Sequence, residues 1–167
     1  MSIRVSTVIC TLNRREMLKA SILSLTEQTV NREQHEIIVV DNGSNDSTRD
    51  AVDELTKRIP NLRYVFEARP GLSNARNLAS DLARGEVVAF IDDDAVAEER
   101  WLEALLLGYR SEPDVSAVGG RIHLRWPSGR PRGLPQELEP HFGKLDLGEN
   151  RQIVQFLSFR SEPICLS

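Results

Sequence analysis

The sequence predicts an α/β protein with a mostly parallel central sheet and helices on both of its faces. Strand-like and helix-like patterns alternate over the first two-thirds of the 167 residues. Residues 37–40 and 87–91 are unbroken apolar runs, which are typical of strands buried on both faces. Polar clusters follow the strands directly, at the edge where ligands bind in such sheets.

The first two strand–helix units are predicted from apolar spacing. Residues 5–10 favour a strand, and Asn13 is expected to cap the next helix with Glu16 as its capping-box partner. That helix has an apolar face at helical spacing. A second strand at residues 37–40 is followed by a helix that ends before Pro60.

The later elements follow the same logic. Alternating apolar residues at 62–66 predict a half-covered strand, and Ser73 is expected to cap the helix after it. The strand at 87–91 and a helix from Trp101 come next. Further strands are expected at 115–118 and 153–159.

Composition limits the functional classes. The net charge of −4 and the pI of about 5.5 exclude a basic nucleic-acid footprint. No apolar run approaches the roughly 18 residues of a membrane span. Two cysteines and no signal-peptide core predict a cytoplasmic location, with peripheral contact to the inner membrane face left open.

Domain organisation changes after Gly120. Residues 1–120 carry the α/β pattern, whereas residues 121–167 are rich in proline and arginine and are expected to continue the same domain. A chain that lacks its last strands would expose a sheet edge, which favours a homodimer.

Three adjacent carboxylates, Asp92, Asp93 and Asp94, follow the run at 87–91. Like charges repel one another unless a positive charge lies among them. If strand geometry persists, Asp92 and Asp94 point to one side, which suits a divalent cation and substrate phosphates. The alternative is a solvated loop, or a helix cap provided by Asp94.

Two further residues are candidate ligand contacts. Asp41 follows a buried strand and is either an Asx-turn residue or an acceptor for a base or ribose group. Arg76 lies near a predicted helix N-terminus, where an arginine can hold phosphate, although exposed arginines are usually only solvated.

Four segments in order resemble signatures of the family 2 glycosyltransferases: residues 8–14 (VICTLNR), 39–44 (VVDNGS), 71–77 (GLSNARN) and 90–94 (FIDDD). The resemblance implies a GT-A type, Rossmann-like sandwich. It also implies a UDP-, GDP- or dTDP-linked sugar donor and Mg²⁺ or Mn²⁺ at a DXD motif, in a metal-assisted, inverting transfer.

The resemblance also implies residue roles. Thr11 and Asp41 would contact the nucleoside, and Arg76 the donor. Asp92 would lie near the ribose, and Asp94 would bind the metal, with Asp92 as a second candidate ligand. The full expected donor-binding set is Thr11, Asn13, Arg14, Asp41, Asn42, Arg76, Asp92 and Asp93.

One departure from the family concerns the general base. Inverting transfer needs a carboxylate that takes the proton of the acceptor hydroxyl, and the family commonly carries it in a later Glu-Asp pair. No such pair follows Asp94, so a truncated family member with an unidentified base is expected. The acceptor, whether glycan, lipid or small molecule, is open.

Three functions therefore stand as hypotheses. The first is a glycosyltransferase, and the second is a nucleotide-sugar-binding module without turnover. The third is a phosphoacceptor receiver domain, which needs an acidic pair after its first strand. Thr11, Leu12 and Asn13 occupy that place, which disfavours the third hypothesis.

Overall fold

The central sheet is seen in a computed structural model that describes residues 2–111, 115–146 and 148. Within these ranges its strands are β1 (Val5–Thr11), β2 (His35–Asp41), β3 (Leu62–Phe66) and β4 (Val87–Phe90). All four run parallel, in the spatial order β3-β2-β1-β4. The predicted mostly parallel α/β fold is confirmed.

Helices cover both faces of the sheet. The α-helices of the described ranges are α1 (Arg15–Thr26), α2 (Thr48–Thr56), α3 (Leu72–Leu82) and α4 (Trp101–Ser111). Ile9 and Val39 pack with residues of α1 and α2 on one face, and Val8 and Ile38 pack with Ala75 of α3 on the other. These alternate strand residues are fully buried, as expected for a parallel sheet with two covered faces.

The chain forms two compact units, Met1–Val115 and Ser116–Ser167. In the described part of the second unit, a short 3₁₀ helix spans Gln136–Phe142. An antiparallel β-bridge joins Ile122 to Leu145, and the rings of Trp126 and Phe142 make an edge-to-face contact. None of the helices in the described ranges is long and apolar enough to cross a bilayer.

Two strand predictions are wrong. β4 is an edge strand among the described residues and ends at Phe90, whose side chain is 43% exposed, so it is not buried on both faces. Residues 115–118 form no strand, because no described segment pairs with them. The strand expected at 153–159 lies outside the described residues.

Both predicted helix caps are also wrong. Asn13 adopts a left-handed conformation (φ 56°), and its side chain accepts a hydrogen bond from the Asn45 N–H instead of capping α1. The predicted partner, Glu16, pairs with Arg15 and Lys19. α3 begins after Gly71 rather than Ser73, because glycine tolerates the φ of 122° found there.

A buried ion-pair network lies at the amino ends of β1 and β2. Glu36 is 1% exposed and accepts hydrogen bonds from Ser6 (2.7 Å), Arg63 (2.8 Å) and Arg84 (2.6 Å). Burial alone would raise the pKa of Glu36, but the hydrogen bonds, led by those from Arg84, outweigh it and lower the pKa to about 2. The network therefore stabilises the folded protein only while Glu36 is ionised.

Replacement of Glu36 by glutamine is expected to lower the free energy of unfolding at pH 7 by about 3 kcal/mol, since two arginines lose their buried partner. The folded-state pKa lies below the ordinary value of 4.5. The stabilisation is therefore complete above pH 4.5 and is lost as pH falls towards 2. Urea unfolding of both proteins should show more than half of the difference gone by about pH 3. A difference independent of pH would contradict this account.

Gly85 packs directly against the backbone of β1. A Cβ at this position would lie 2.5 Å from the Ser6 nitrogen and 2.6 Å from the Val5 carbonyl carbon. The Gly85 N–H also donates to the Ser6 hydroxyl over 2.8 Å. Backbone atoms cannot move aside as a flexible side chain can, so only glycine fits.

The Gly85→Ala variant is expected to lose about 3 kcal/mol of unfolding free energy by overpacking. Gly119→Ala is the matched control, because a Cβ there meets nothing within 4 Å. The control should stay within about 0.5 kcal/mol of wild type in urea unfolding. Equal stability of the two variants would show that the β1 contact is unimportant.

Candidate functional site

The candidate residues meet at the carboxyl edge of the sheet. Thr11, the last residue of β1, lies opposite Asp41, the last residue of β2. β4 lies on the other side of β1, so the acidic triplet after it reaches the same edge. Parallel pairing thus brings together the three polar clusters that follow the predicted strands, at residues 11–14, 41–44 and 92–94.

Asp93 is the buried member of the acidic triplet, with 5% of its surface exposed. Its Oδ2 accepts a hydrogen bond from Thr11 Oγ1 at 2.8 Å, and its Oδ1 accepts one from Arg14 Nη1 at 3.2 Å. A buried carboxylate is costly unless it is paired and hydrogen-bonded. Thr11 and Arg14 meet that requirement from the β1–α1 junction.

Arg14 joins the triplet through a second ion pair. The same Nη1 donates to Asp94 Oδ2 over 2.9 Å. Both side chains are about half exposed, 52% for Arg14 and 51% for Asp94. The charge of Asp93 is the main cause of the raised pKa of Arg14. A positive charge therefore does lie among the three carboxylates.

Asp92 begins a turn rather than extending the strand. The Ile91 N–H makes a 3.0 Å ladder bond to Val8, and the Ala95 N–H then bonds to the Asp92 carbonyl oxygen. Ser21 Oγ of α1 also donates to this oxygen, at 3.4 Å. Strand geometry does not persist through the triplet, so alternation no longer predicts where Asp92 and Asp94 point.

Asp41 is held firmly, with 2% of its surface exposed. Its Oδ1 accepts from the Ser44 N–H at 2.8 Å, three residues on rather than the two of an Asx-turn, and its Oδ2 accepts from the Tyr64 hydroxyl at 2.9 Å. Burial, and then this hydrogen bond, raise the pKa of Tyr64. Asp41 thus has a structural role. Each of its oxygens accepts one of these hydrogen bonds, so the carboxylate keeps further lone pairs that a ligand could use.

Asn42 fastens the loop before α3. Its Nδ2 donates to the carbonyl oxygens of Glu67 (3.1 Å) and Arg69 (2.7 Å). Its Oδ1 accepts from the Gly71 N–H at 2.8 Å. These three bonds fix the chain where α3 begins. The guanidinium of Arg69 forms an ion pair with Glu67 within the same loop.

Asn13 connects two loops of the same edge. Its backbone N–H donates to Ser44 Oγ at 2.9 Å, while its side chain accepts from the Asn45 N–H at 2.8 Å. Its left-handed conformation turns the chain between β1 and α1. The β1–α1 and β2–α2 loops are therefore held side by side.

A cleft of about 310 Å³ opens between these loops. Four of the predicted donor-binding residues line it, together with three that were not among the predicted site residues. The lining residues are Thr11, Leu12, Arg14, Asn42, Gly71, Leu72 and Asp93. Leu12 and Leu72 are 51% and 47% exposed, so the cleft offers apolar surface beside its charged wall.

Arg76 lies on α3 with its guanidinium 5.9 Å from the centre of the Phe90 ring. It does not line the cleft. Burial raises the pKa of the Cys10 thiol to about 11. Arg76 acts to lower that pKa, whereas Asp92 and Asp93 raise it, so all three charges lie within electrostatic reach of Cys10.

Sequence reasoning missed Tyr64, Ser44 and Ser21. Tyr64 pairs with Val39 in the β2–β3 register, which sets it diagonally to Asp41 on the same face. A hydroxyl two residues before the end of a strand beside Asp41 was the available signal. The contact from Ser21 to the Asp92 carbonyl carries no sequence pattern, because it joins residues 71 positions apart.

The acidic triplet fits a divalent cation only in part. No group of three or more histidine, cysteine or carboxylate side chains suited to a metal occurs within the described ranges. Asp94 and Asp92 are exposed carboxylates and thus hard oxygen donors. Mg²⁺ is commonly held by one or two carboxylates plus substrate phosphates and water, and these residues fit that pattern.

Comparison with known proteins gives one family. Residues 6–160 match glycosyl transferase family 2. The glucosyl-dolichyl phosphate glucuronosyltransferase of Haloferax volcanii is 32% identical over 136 residues, covering 80% of this chain and 43% of that protein. The validoxylamine A glucosyltransferase of Streptomyces hygroscopicus subsp. jinggangensis is 32% identical over 149 residues, covering 86% and 35%.

Solved structures agree with the fold. The mannosyltransferase PcManGT of Pyrobaculum calidifontis, in complex with GDP-Man and Mn²⁺, has a TM-score of 0.62 and 30% identity over 69% of this chain and 34% of that one. S. aureus TarS 1-349, in complex with UDP-GlcNAc, has a TM-score of 0.59 and 26% identity over 63% and 30%. Both are GT-A glycosyltransferases.

The chain spans less than half the length of these curated relatives. The match nevertheless covers most of the chain, and the fold and the four ordered segments agree with it. The chain therefore belongs to glycosyl transferase family 2.

Proposed function

We propose that this chain forms the donor-binding part of a glycosyltransferase that transfers the sugar of a nucleoside-diphosphate-sugar donor. The main support is the convergence of Thr11, Arg14, Asn42 and Asp93 on one cleft at the carboxyl edge. Family membership and the nucleotide-sugar complexes of similar proteins also favour a nucleotide-sugar donor site.

The edge offers groups for each part of a nucleotide sugar. Asp41, with Thr11 beside it in register, would accept hydrogen bonds from the base or the ribose. Arg76 would face the donor phosphates, and Asp92 the ribose. Asn13 and Asn42 would act mainly by fixing the loops that form the cleft.

Asp94, with Asp92 as a second candidate, would hold Mg²⁺ or Mn²⁺ together with the donor phosphates. When bound, such a cation would stabilise the negative charge on the departing nucleoside diphosphate. Asp93 would not join it directly, since it is buried and its negative charge is already balanced by the ion pair with Arg14.

The general base remains open. Glu139, in the second unit, forms ion pairs with Lys144 (2.8 Å) and Arg130 (2.9 Å), which lower its pKa. Asp146 also has a lowered pKa, chiefly through the Gly148 N–H. Both carboxylates are therefore held by partners within their own unit, and neither is singled out as the base. A nucleotide-sugar-binding module without turnover is accordingly the second candidate.

An inverting transfer, a homodimer and a cytoplasmic location stay predictions, and the acceptor is open.

Turnover separates the two candidate functions. Release of nucleoside diphosphate from the donor, in the presence of Mn²⁺ and an acceptor mixture, would support the enzyme. Binding without any release would support the module.

Calorimetry of UDP-, GDP- and dTDP-sugars is the test of the donor site. We expect one nucleotide class to bind in the micromolar to millimolar range, which corresponds to about 4–8 kcal/mol, and more tightly with Mn²⁺. Asp94→Asn should remove most of the Mn²⁺ effect. If a folded sample bound none of the three classes, the proposed function would be wrong.

Asp41→Asn tests the nucleoside contact. The exchange keeps the side-chain size but removes a charged acceptor, so nucleotide affinity should fall about tenfold or more. Asp50→Asn is the control, because it removes the same charge from an exposed position in the first turn of α2. Equal affinities of the two variants in the calorimeter would exclude Asp41 from the nucleoside contact.

A further inference from the structure

Arg14 forms ion pairs with two of the three carboxylates of the acidic triplet. One guanidinium nitrogen bonds both Asp93 Oδ1 (3.2 Å) and Asp94 Oδ2 (2.9 Å). An arginine cannot give up its proton in a protein. Any second cation that approaches Asp94 therefore meets a permanent positive charge already in contact with that carboxylate.

We propose that Arg14 is a built-in competitor of the divalent cation at Asp94, and that the donor diphosphate relieves this competition. The inference rests on the proposed function, because it concerns the same site. Arg14 would thus be a positioning residue that makes metal binding depend on the presence of nucleotide.

The two ion pairs differ in a way that permits exchange. Asp93 is buried and is also held by Thr11, so its carboxylate stays in place. Asp94 and Arg14 are about half exposed, so solvent screens their contact and either side chain can move away. The Arg14–Asp94 pair is therefore the weaker link, and it involves the predicted metal ligand.

A nucleoside diphosphate changes this balance from both sides. Its phosphate oxygens add ligands for the cation, and they also accept hydrogen bonds from a displaced guanidinium. Metal and diphosphate should then raise each other's affinity by the same factor, as linkage requires. Metal alone gains one carboxylate at the expense of an existing ion pair, so it should bind weakly.

Direct Mn²⁺ binding is the test, measured from the electron paramagnetic resonance signal of free Mn²⁺ without nucleotide. Arg14→Gln should bind Mn²⁺ about two- to fivefold more tightly than wild type, the upper part of the range for loss of a partly exposed ion pair. Arg14→Lys keeps the charge and should remain close to wild type. Circular dichroism and urea unfolding verify that each variant is folded.

Arg15→Gln is the matched control. Arg15 is the adjacent residue and pairs with Glu16, so its removal subtracts the same charge without touching the triplet. Its Mn²⁺ affinity should change less than that of Arg14→Gln. Equal or weaker Mn²⁺ binding by Arg14→Gln than by wild type, including no detectable binding by either, would overturn the proposal. An equal gain in Arg15→Gln would do the same.

The second arm adds UDP, GDP or dTDP, with a correction for the Mn²⁺ that the nucleotide binds in solution. In wild type the nucleotide should raise Mn²⁺ affinity by a larger factor than in Arg14→Gln. Equal factors would overturn the exchange. Absence of nucleotide binding by wild type would instead count against the donor function, while the metal-only arm still decides the competition at Asp94.

Discussion

The position of β1 between β2 and β4, all running parallel, is the constraint on which the rest of the structure depends. It brings the carboxyl ends of three strands to one edge, so Thr11 can lie opposite Asp41 and still bond Asp93, 82 residues away. Both faces of β1 must then be covered, which explains its buried apolar residues and the helices on each side. The cleft is a consequence of this arrangement, because its walls are the loops that leave those strands.

Side chains at this edge both hold the loops in place and belong to the candidate site. Asp41 and Asn42 hold loops through hydrogen bonds to backbone groups, and the same residues stand in the segments that resemble family signatures. Asp93 similarly joins β1, α1 and the acidic turn through Thr11 and Arg14. A site built in this way is preorganised, because its polar groups are oriented by the fold before a ligand arrives. It also means that loss of binding in a variant needs a separate measurement of folding.

The sequence predicted the sheet, the order of elements and the edge at which the polar clusters meet, because apolar periodicity and strand-end chemistry are local signals. It wrongly predicted helix caps at Asn13 and Ser73, since α1 begins after Arg14 and α3 begins after Gly71, and the turns before them use the positive φ angles of Asn13 and Gly71. The bond from Tyr64 to Asp41 was also missed, because it depends on the register of β3 on β2. The ion pairs of Arg14 depend on how the β1–α1 loop packs against the distant acidic turn, which no local sequence pattern encodes.

The network around Glu36 lies at the amino ends of the same strands whose carboxyl ends carry the candidate site. Anchoring and recognition are therefore separated by the length of β1 and β2. In evolutionary terms, such a separation allows the loops of the candidate site to diverge while the anchor keeps the sheet intact. For protein engineering, loop libraries at the carboxyl edge can vary the candidate site while Ser6, Glu36 and Gly85 are kept unchanged to preserve the sheet.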